Sequence, residues 1–115
     1  MNNQRRGKYG EDLALRVLKR RGMKLLERNY RAGRMELDLI LQDGDVIVFV
    51  EVKARSSDRY GLGREAVNAV KQQHLRQAAL AYLAARGWME RPARFDVAEV
   101  DLNTGTVTHI RDAFC

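Results

Sequence analysis

The 115-residue chain carries one cysteine, one proline, one tryptophan and two histidines. Each scarcity narrows the field. The only cysteine is Cys115 at the last position, so neither a disulfide framework nor a thiolate zinc site is expected. His74 and His109 are isolated, with no partner at metal-ligand spacing, and both read as structural or exposed. No apolar run approaches the roughly 18 residues of a membrane span. The opening Met1-Asn2-Asn3-Gln4-Arg5-Arg6 leads into no apolar export core, so no membrane and a cytoplasmic location are expected. No repeat or low-complexity segment interrupts the chain, and its length suits one compact domain over residues 1–115.

What is abundant is charge. The chain is 45% hydrophobic, enough to bury a core, and 31% charged, with a net charge of +6. Residues 1–34 hold eleven Lys/Arg and three Asp/Glu, a surplus of +8, and the remainder carries −2. A basic front suits a polyanion, nucleic acid first. Arg5, Arg6, Lys8, Arg16, Lys19, Arg20 and Arg21 can track a phosphate backbone. More plainly, Lys19-Arg20-Arg21 is a solvated helix end that favours the macrodipole.

The hydrophobic periodicity predicts an α/β chain in the order α-β-β-β-α-β-β. Leu13, Ala14, Val17 and Leu18 give Arg6 to Arg21 a helical face, and Gly22 stops it. Lys24 to Tyr30 reads as a short strand. Met35 to Gln42 and Asp45 to Ala54 are β-rich runs flanking Asp43-Gly44, a strong hairpin signal. A polar loop from Ser56 to Gly63 leads to a long helix that starts between Arg64 and Asn68 and ends near Arg86-Gly87. Its core face is Leu75, Ala78, Ala79, Tyr82 and Leu83. Arg94 to Leu102 and Thr106 to Ile110 complete a mixed sheet with helices on both faces.

Strand alternation places Glu36 and Asp38 on one face of the first hairpin strand, with Leu37, Leu39 and Leu41 on the other. Glu51 and Lys53 share a face of the second strand, opposite Val50 and Val52. A turn at Asp43-Gly44 would set Glu36 opposite Glu51 and make Asp38 its diagonal neighbour. Carboxylates gathered this way need a counter-charge. Lys53 supplies part of it, and a divalent ion such as Mg²⁺, which prefers carboxylate oxygens and water, can supply the rest. Such an ion generates a nucleophilic water and stabilises charge on a phosphoryl oxygen. The plainer alternative is a frayed sheet end with solvated charges.

These residues resemble the PD-(D/E)XK nuclease superfamily, whose motif is an acid on one strand and (D/E)-x-K on the next. Here Asp38 is followed, after twelve residues, by Glu51-Val52-Lys53. The arrangement looks most like the archaeal Holliday-junction resolvase branch. A closer likeness covers nearly the whole chain. Lys8-Tyr9-Gly10-Glu11-Asp12-Leu13-Ala14, Arg28-Asn29-Tyr30-Arg31, Glu36-Leu37-Asp38, Phe49 to Arg55, Tyr60-Gly61, Lys71 and Arg94 to Val97 follow the pattern of the YraN family of small bacterial endonuclease-like proteins. The resemblance implies a restriction-endonuclease-like core and a Mg²⁺- or Mn²⁺-dependent endonuclease acting on DNA, with branched or damaged DNA among the candidate substrates. It implies Asp38 and Glu51 as metal ligands, Lys53 as the catalytic lysine, Glu11 as an auxiliary acid reaching the metal through water, and Glu36 as a further ligand or a tuning acid. Lys71 and Gln77 fall on the helix that often lends such sites a polar residue. A homodimer would suit a substrate cut twice. Two positions depart from pattern: Leu37 stands where the superfamily has proline, and Met35 where the family usually has glycine.

Arg55, Arg59 and Tyr60 follow the motif and are expected to meet nucleic acid from a loop. Asp96, alternating with Phe95 and Val97, reads as the partner of a buried polar contact, and Trp88 as a lid on the core. Two other functions stay open: a nucleic-acid-binding module without catalysis, and an adaptor whose basic surface meets an acidic protein.

Overall fold

The computed structural model describes residues 3–56 and 68–114. Its elements are α1 (Asn3–Arg20), β1 (Lys24–Ala32), β2 (Met35–Asp43), β3 (Val46–Arg55), α2 (Ala69–Arg86), β4 (Ala93–Asp101) and β5 (Val107–Phe114). The five strands form one mixed sheet in sequence order. Neighbours are antiparallel except β3 and β4, which are parallel and joined by the connection that contains α2. A parallel step needs such a crossover, and a helix satisfies its own backbone on the way.

The two helices cover opposite faces. Leu75, Ala78, Ala79, Tyr82 and Leu83 of α2 pack on Ile40, Ile47, Phe49 and Val97. Ala14 and Leu18 of α1 pack on Leu39, Leu41, Val48, Val50, Ala98 and Val100. Alternation along β3 sends Val48 and Val50 toward α1, and Ile47 and Phe49 toward α2. α1 lies close over β3 at Gly10, where an added Cβ would sit 2.7 Å from the Cβ of Ala54. α2 is punctuated at both ends. The side chain of Asn68 accepts a hydrogen bond from the Lys71 N–H, and Gly87 closes the helix in the left-handed region at φ 71°.

The hairpin register differs from the sequence expectation by two residues. Asp43 pairs with Val46, so the turn is Gly44-Asp45, with Gly44 at φ 61° in its first central position. Each strand keeps its parity, and the shift aligns Asp38 with Glu51 directly. The ladder ends at Leu39–Val50. Beyond it the Asp38 carboxyl takes the Val52 N–H at 2.9 Å, replacing a backbone partner with a side chain. Here β2 turns. Leu37, expected beside Leu39 and Leu41, packs instead on the α2 side. Strand β5 extends to Phe114, past the expected end at Ile110, and Phe114 stacks on Phe95 with centroids 4.8 Å apart.

Candidate functional site

Glu51 and Lys53 project from the last half of β3 toward α2, and Asp38 reaches them from the point where β2 leaves the ladder. Glu51 is only 6% exposed, while Asp38 and Lys53 remain partly exposed. The first turn of α2 adds Lys71, whose Nζ lies 2.9 Å from Glu51 Oε2. The contact is an ion pair, and this buried oxygen has no other protein partner among the described residues.

The electrostatics follow from crowding. Burial and then hydrogen bonding to Glu51 push the Asp38 carboxyl up to about 9, against the Val52 N–H that favours its anion. Glu51 goes the other way. Burial opposes its charge, but Asp38 and Lys71, with Lys53 behind them, hold it below the usual glutamate value. Burial lowers Lys53, and the Lys71 charge lowers it further, against the pull of Glu51. For Lys71, burial is outweighed by Glu51, and its ammonium is held above the ordinary lysine value. The pair of acids therefore shares one proton and one negative charge, faced by two lysines.

A second pair of acids stands beside the first. Glu11, from α1, accepts from Arg28 Nε at 3.2 Å and from Asn29 Nδ2 at 3.1 Å. The same Asn29 nitrogen donates to Glu36 Oε1 at 3.2 Å. Glu11 is close enough to raise Asp38 further through its charge. Glu36 is thus tied to Glu11 through Asn29 and not set opposite Glu51, because the two-residue register shift puts Asp38 at that level instead. Arg28 also bonds Asp12 Oδ1 at 2.7 Å and the Lys8 carbonyl at 3.2 Å, which fastens α1 to β1. Reading the sequence missed Arg28 and Asn29 as site builders. The available signal was an asparagine inside a β-run, a residue depleted in strands.

Among the described residues no group of three or more His, Cys, Asp or Glu is arranged to hold a metal. That excludes a closed cage of protein ligands there. A Mg²⁺ ion needs no such cage, since one or two carboxylates hold it and water and substrate oxygens complete its shell. The carboxyls of Asp38 and Glu51, the latter paired with Lys71, are the groups that would hold such an ion. The cavity beneath the two carboxyls measures only ≈10 Å³, room for one water at most. A larger groove of ≈650 Å³ lies between the Gly33 turn and α2 and is lined by Arg34, His74 and Gln77 among others, but by none of these acids.

The remaining candidates are dispersed. Arg5 and Lys8 are exposed on α1, Lys8 paired with Asp12 at 3.4 Å. Arg55 is the last residue of β3, not a loop residue, and its Nε is buried with no hydrogen-bond partner among the described residues. Arg59 and Tyr60 lie outside the described residues, as does the side chain of Arg6. Trp88 packs on Tyr82 and is flanked by Arg86 and Arg91 at 5.0 and 4.6 Å. Asp96 is fully buried on the α1 side. It accepts from Arg94 Nε at 3.0 Å, meets His109 Nε2 at 2.7 Å and takes the Asp112 N–H at 3.1 Å. Arg21 meets the other ring nitrogen of His109 at 2.8 Å. An arginine only donates, so Nδ1 accepts and Nε2 carries the proton to Asp96. This network ties the end of α1 to β4 and β5 and faces away from Glu51.

Sequence comparison adds relatives along almost the full length. A UPF0102 protein of Syntrophus aciditrophicus is 45% identical over 97% of this chain and 90% of its own. One from Symbiobacterium thermophilum is 48% identical over 86% and 84% of the two chains. One from Clostridioides difficile is 40% identical over 99% and 100%. The family model described as "Uncharacterised protein family UPF0102" matches residues 10–100, from the glycine packed on β3 through the strand that carries Asp96. With the helix glycine, the hairpin acids and strands β1 to β3 all inside that span, the chain belongs to the UPF0102 family.

Proposed function

We propose that this protein is a divalent-metal-dependent endonuclease that hydrolyses phosphodiester bonds in DNA, with Mg²⁺ or Mn²⁺ held by Asp38 and Glu51. The observation that carries this reading is the contact between those two carboxyls at an open sheet end, shared with two lysines. Two acids crowded at low exposure stabilise nothing by themselves. They are useful if a cation replaces the shared proton. When bound, the ion supplies Lewis acidity and an activated water at neutral pH.

The chain's own groups do the rest. Lys71 keeps Glu51 ionised and aimed. Lys53, its ammonium destabilised by burial, is placed to contact a phosphoryl oxygen or to orient the water. Asp38 gives up its proton as the cation enters. The basic side of α1 holds the flanking backbone.

The test is incubation of the purified protein with Mg²⁺ or Mn²⁺ and a panel of duplex, single-stranded, flap and four-way DNA. Metal-dependent cleavage that disappears in Glu51→Ala is expected. Cleavage that survives the substitution identifies a contaminant, and none on any substrate defeats the proposal.

A second reading draws on the same proton. With Asp38 neutral and both lysines charged, the four groups carry a net single positive charge and can take a phosphate without metal. Salt-sensitive DNA binding that needs no metal and survives Asp38→Ala, with no cleavage, would mark a binding module.

A further inference from the structure

Asn29 occupies an unusual position. It lies in β1, yet its backbone is in the left-handed region at φ 53°. Asparagine is one of the few residues with a Cβ that tolerates this conformation. Its neighbours pair normally, Arg28 with Leu39 and Tyr30 with Leu37, so Asn29 stands opposite Asp38. That is the level at which β2 stops following simple alternation and Asp38 turns to Glu51. The conformation also presents the Asn29 amide to Glu11 Oε2 and Glu36 Oε1. Carboxylates only accept, which fixes the nitrogen end of the amide toward them and uses both of its hydrogens.

We propose that Asn29 is a positioning residue for the acid site: its amide links Glu11 of α1 to Glu36 of β2 and holds Glu11 beside Asp38. The inference rests on the metal reading above. Without the amide, Glu11 keeps only Arg28 among the described residues, and that arginine is bound also to Asp12 and to the Lys8 carbonyl. Glu36, exposed and bonded by Asn29, would swing into solvent. Strain at a functional position is commonly retained for its geometry, and here the geometry brings acids from two separate elements together.

The test separates geometry from stability. Glycine accepts φ 53° without steric strain, so Asn29→Gly keeps the backbone and deletes the amide. Alanine deletes the same amide but resists the conformation. Thermal melting and Mn²⁺ binding followed by electron paramagnetic resonance are measured for the full chain, both variants, Glu11→Gln, and Asn29→Gly with Glu11→Gln. Asn29→Gly should melt near the parent and bind Mn²⁺ about tenfold more weakly, the lower range for loss of a group that orients ligands. Asn29→Ala should melt lower yet bind Mn²⁺ as Asn29→Gly does. In the Glu11→Gln background the Asn29→Gly loss should largely vanish, since the two act as one unit. Unchanged Mn²⁺ affinity in Asn29→Gly, affinity that follows melting temperature across the variants, or an equal loss in both backgrounds overturns the inference. A parent chain that binds no Mn²⁺ instead removes the metal reading on which it stands.

Discussion

Asp38 holds a proton at neutral pH that an exposed aspartate would have released. Its folded value, about 9, lies far above the ordinary 3.8. The folded chain therefore binds a proton that the unfolded chain releases, and the stability this contributes is present below about pH 4 and lost as pH climbs toward 9. Glu51, held low, contributes in the opposite sense: its share is present above about 4.5 and lost only as pH falls through its folded value. Between pH 6 and 9 the Asp38 effect governs. In chelator, the melting temperature should fall by about 4 °C or more across that range, and Asp38→Asn should flatten the dependence. An equally steep fall in Asp38→Asn would place the titrating group elsewhere. Metal binding must expel the same proton, so Mn²⁺ affinity should rise about tenfold per pH unit below that value. Calorimetry in buffers of different ionisation enthalpy would count the proton, and none released would contradict the pairing. Asp38, Glu51 and Lys53 were legible because a strand alternates with a fixed period. Asn29 was missed because an asparagine in a β-run is a weak local signal, and the two acids its amide joins meet only in the fold.

The secondary-structure elements set where these groups meet. The hairpin carries one acid on each strand, and its turn, Gly44-Asp45, decides which residues face each other. A two-residue shift preserves every face, which explains why the expected residues converged although the expected pairs did not. Helix α1 brings Glu11 only because Gly10 lets it lie against β3. Gly10→Ala should cost about 1–3 kcal/mol by overpacking and should reduce Mn²⁺ affinity by lifting Glu11. Ala54→Gly, which removes the opposing Cβ, should restore part of both. Denaturant unfolding of the single and double variants checks this, and additive losses would refute the close approach. Helix α2 supplies Lys71 from its first turn, where the Asn68 cap fixes the backbone of that same residue. Helical spacing found the α2 core face, but the ion pair with Glu51 depends on how the helix crosses the sheet.

Charge is distributed over the molecule in a way that complements the site. The basic surplus of the first 34 residues is carried largely by α1 and the turn after it, where Arg16, Lys19, Arg20 and Arg21 are exposed. Part of it is already engaged: Arg28 pairs with Glu11 and Asp12, and the exposed Arg21 bonds His109. The surface offered to a polyanion is therefore smaller than composition suggests. Neutralising Arg16, Lys19 and Arg20 together should weaken DNA binding uniformly across sequences. It should also reduce the slope of log affinity against log salt by roughly 0.9 for each phosphate that the protein no longer neutralises. Fluorescence anisotropy over a salt series measures this. An unchanged slope would mean that the polymer approaches another face. No helix among the described residues is long and apolar enough to cross a membrane.

Local patterning alone was enough for the order of elements, the two-sided core, and an acid–acid–lysine group on one end of a hairpin. These depend on periods of 2 and 3.6 residues and on turn chemistry, which act between near neighbours. Folding in three dimensions supplied the rest: the Gly44-Asp45 register, the turn of β2 at Asp38, the Lys71 ion pair, and the Asn29 link between Glu11 and Glu36. Each of these joins groups far apart in the chain or requires a backbone angle that no side-chain pattern encodes. The proton held between Asp38 and Glu51 belongs to the same set, since a pKa moves with burial and neighbouring charge, and both exist only after the sheet and helices have packed.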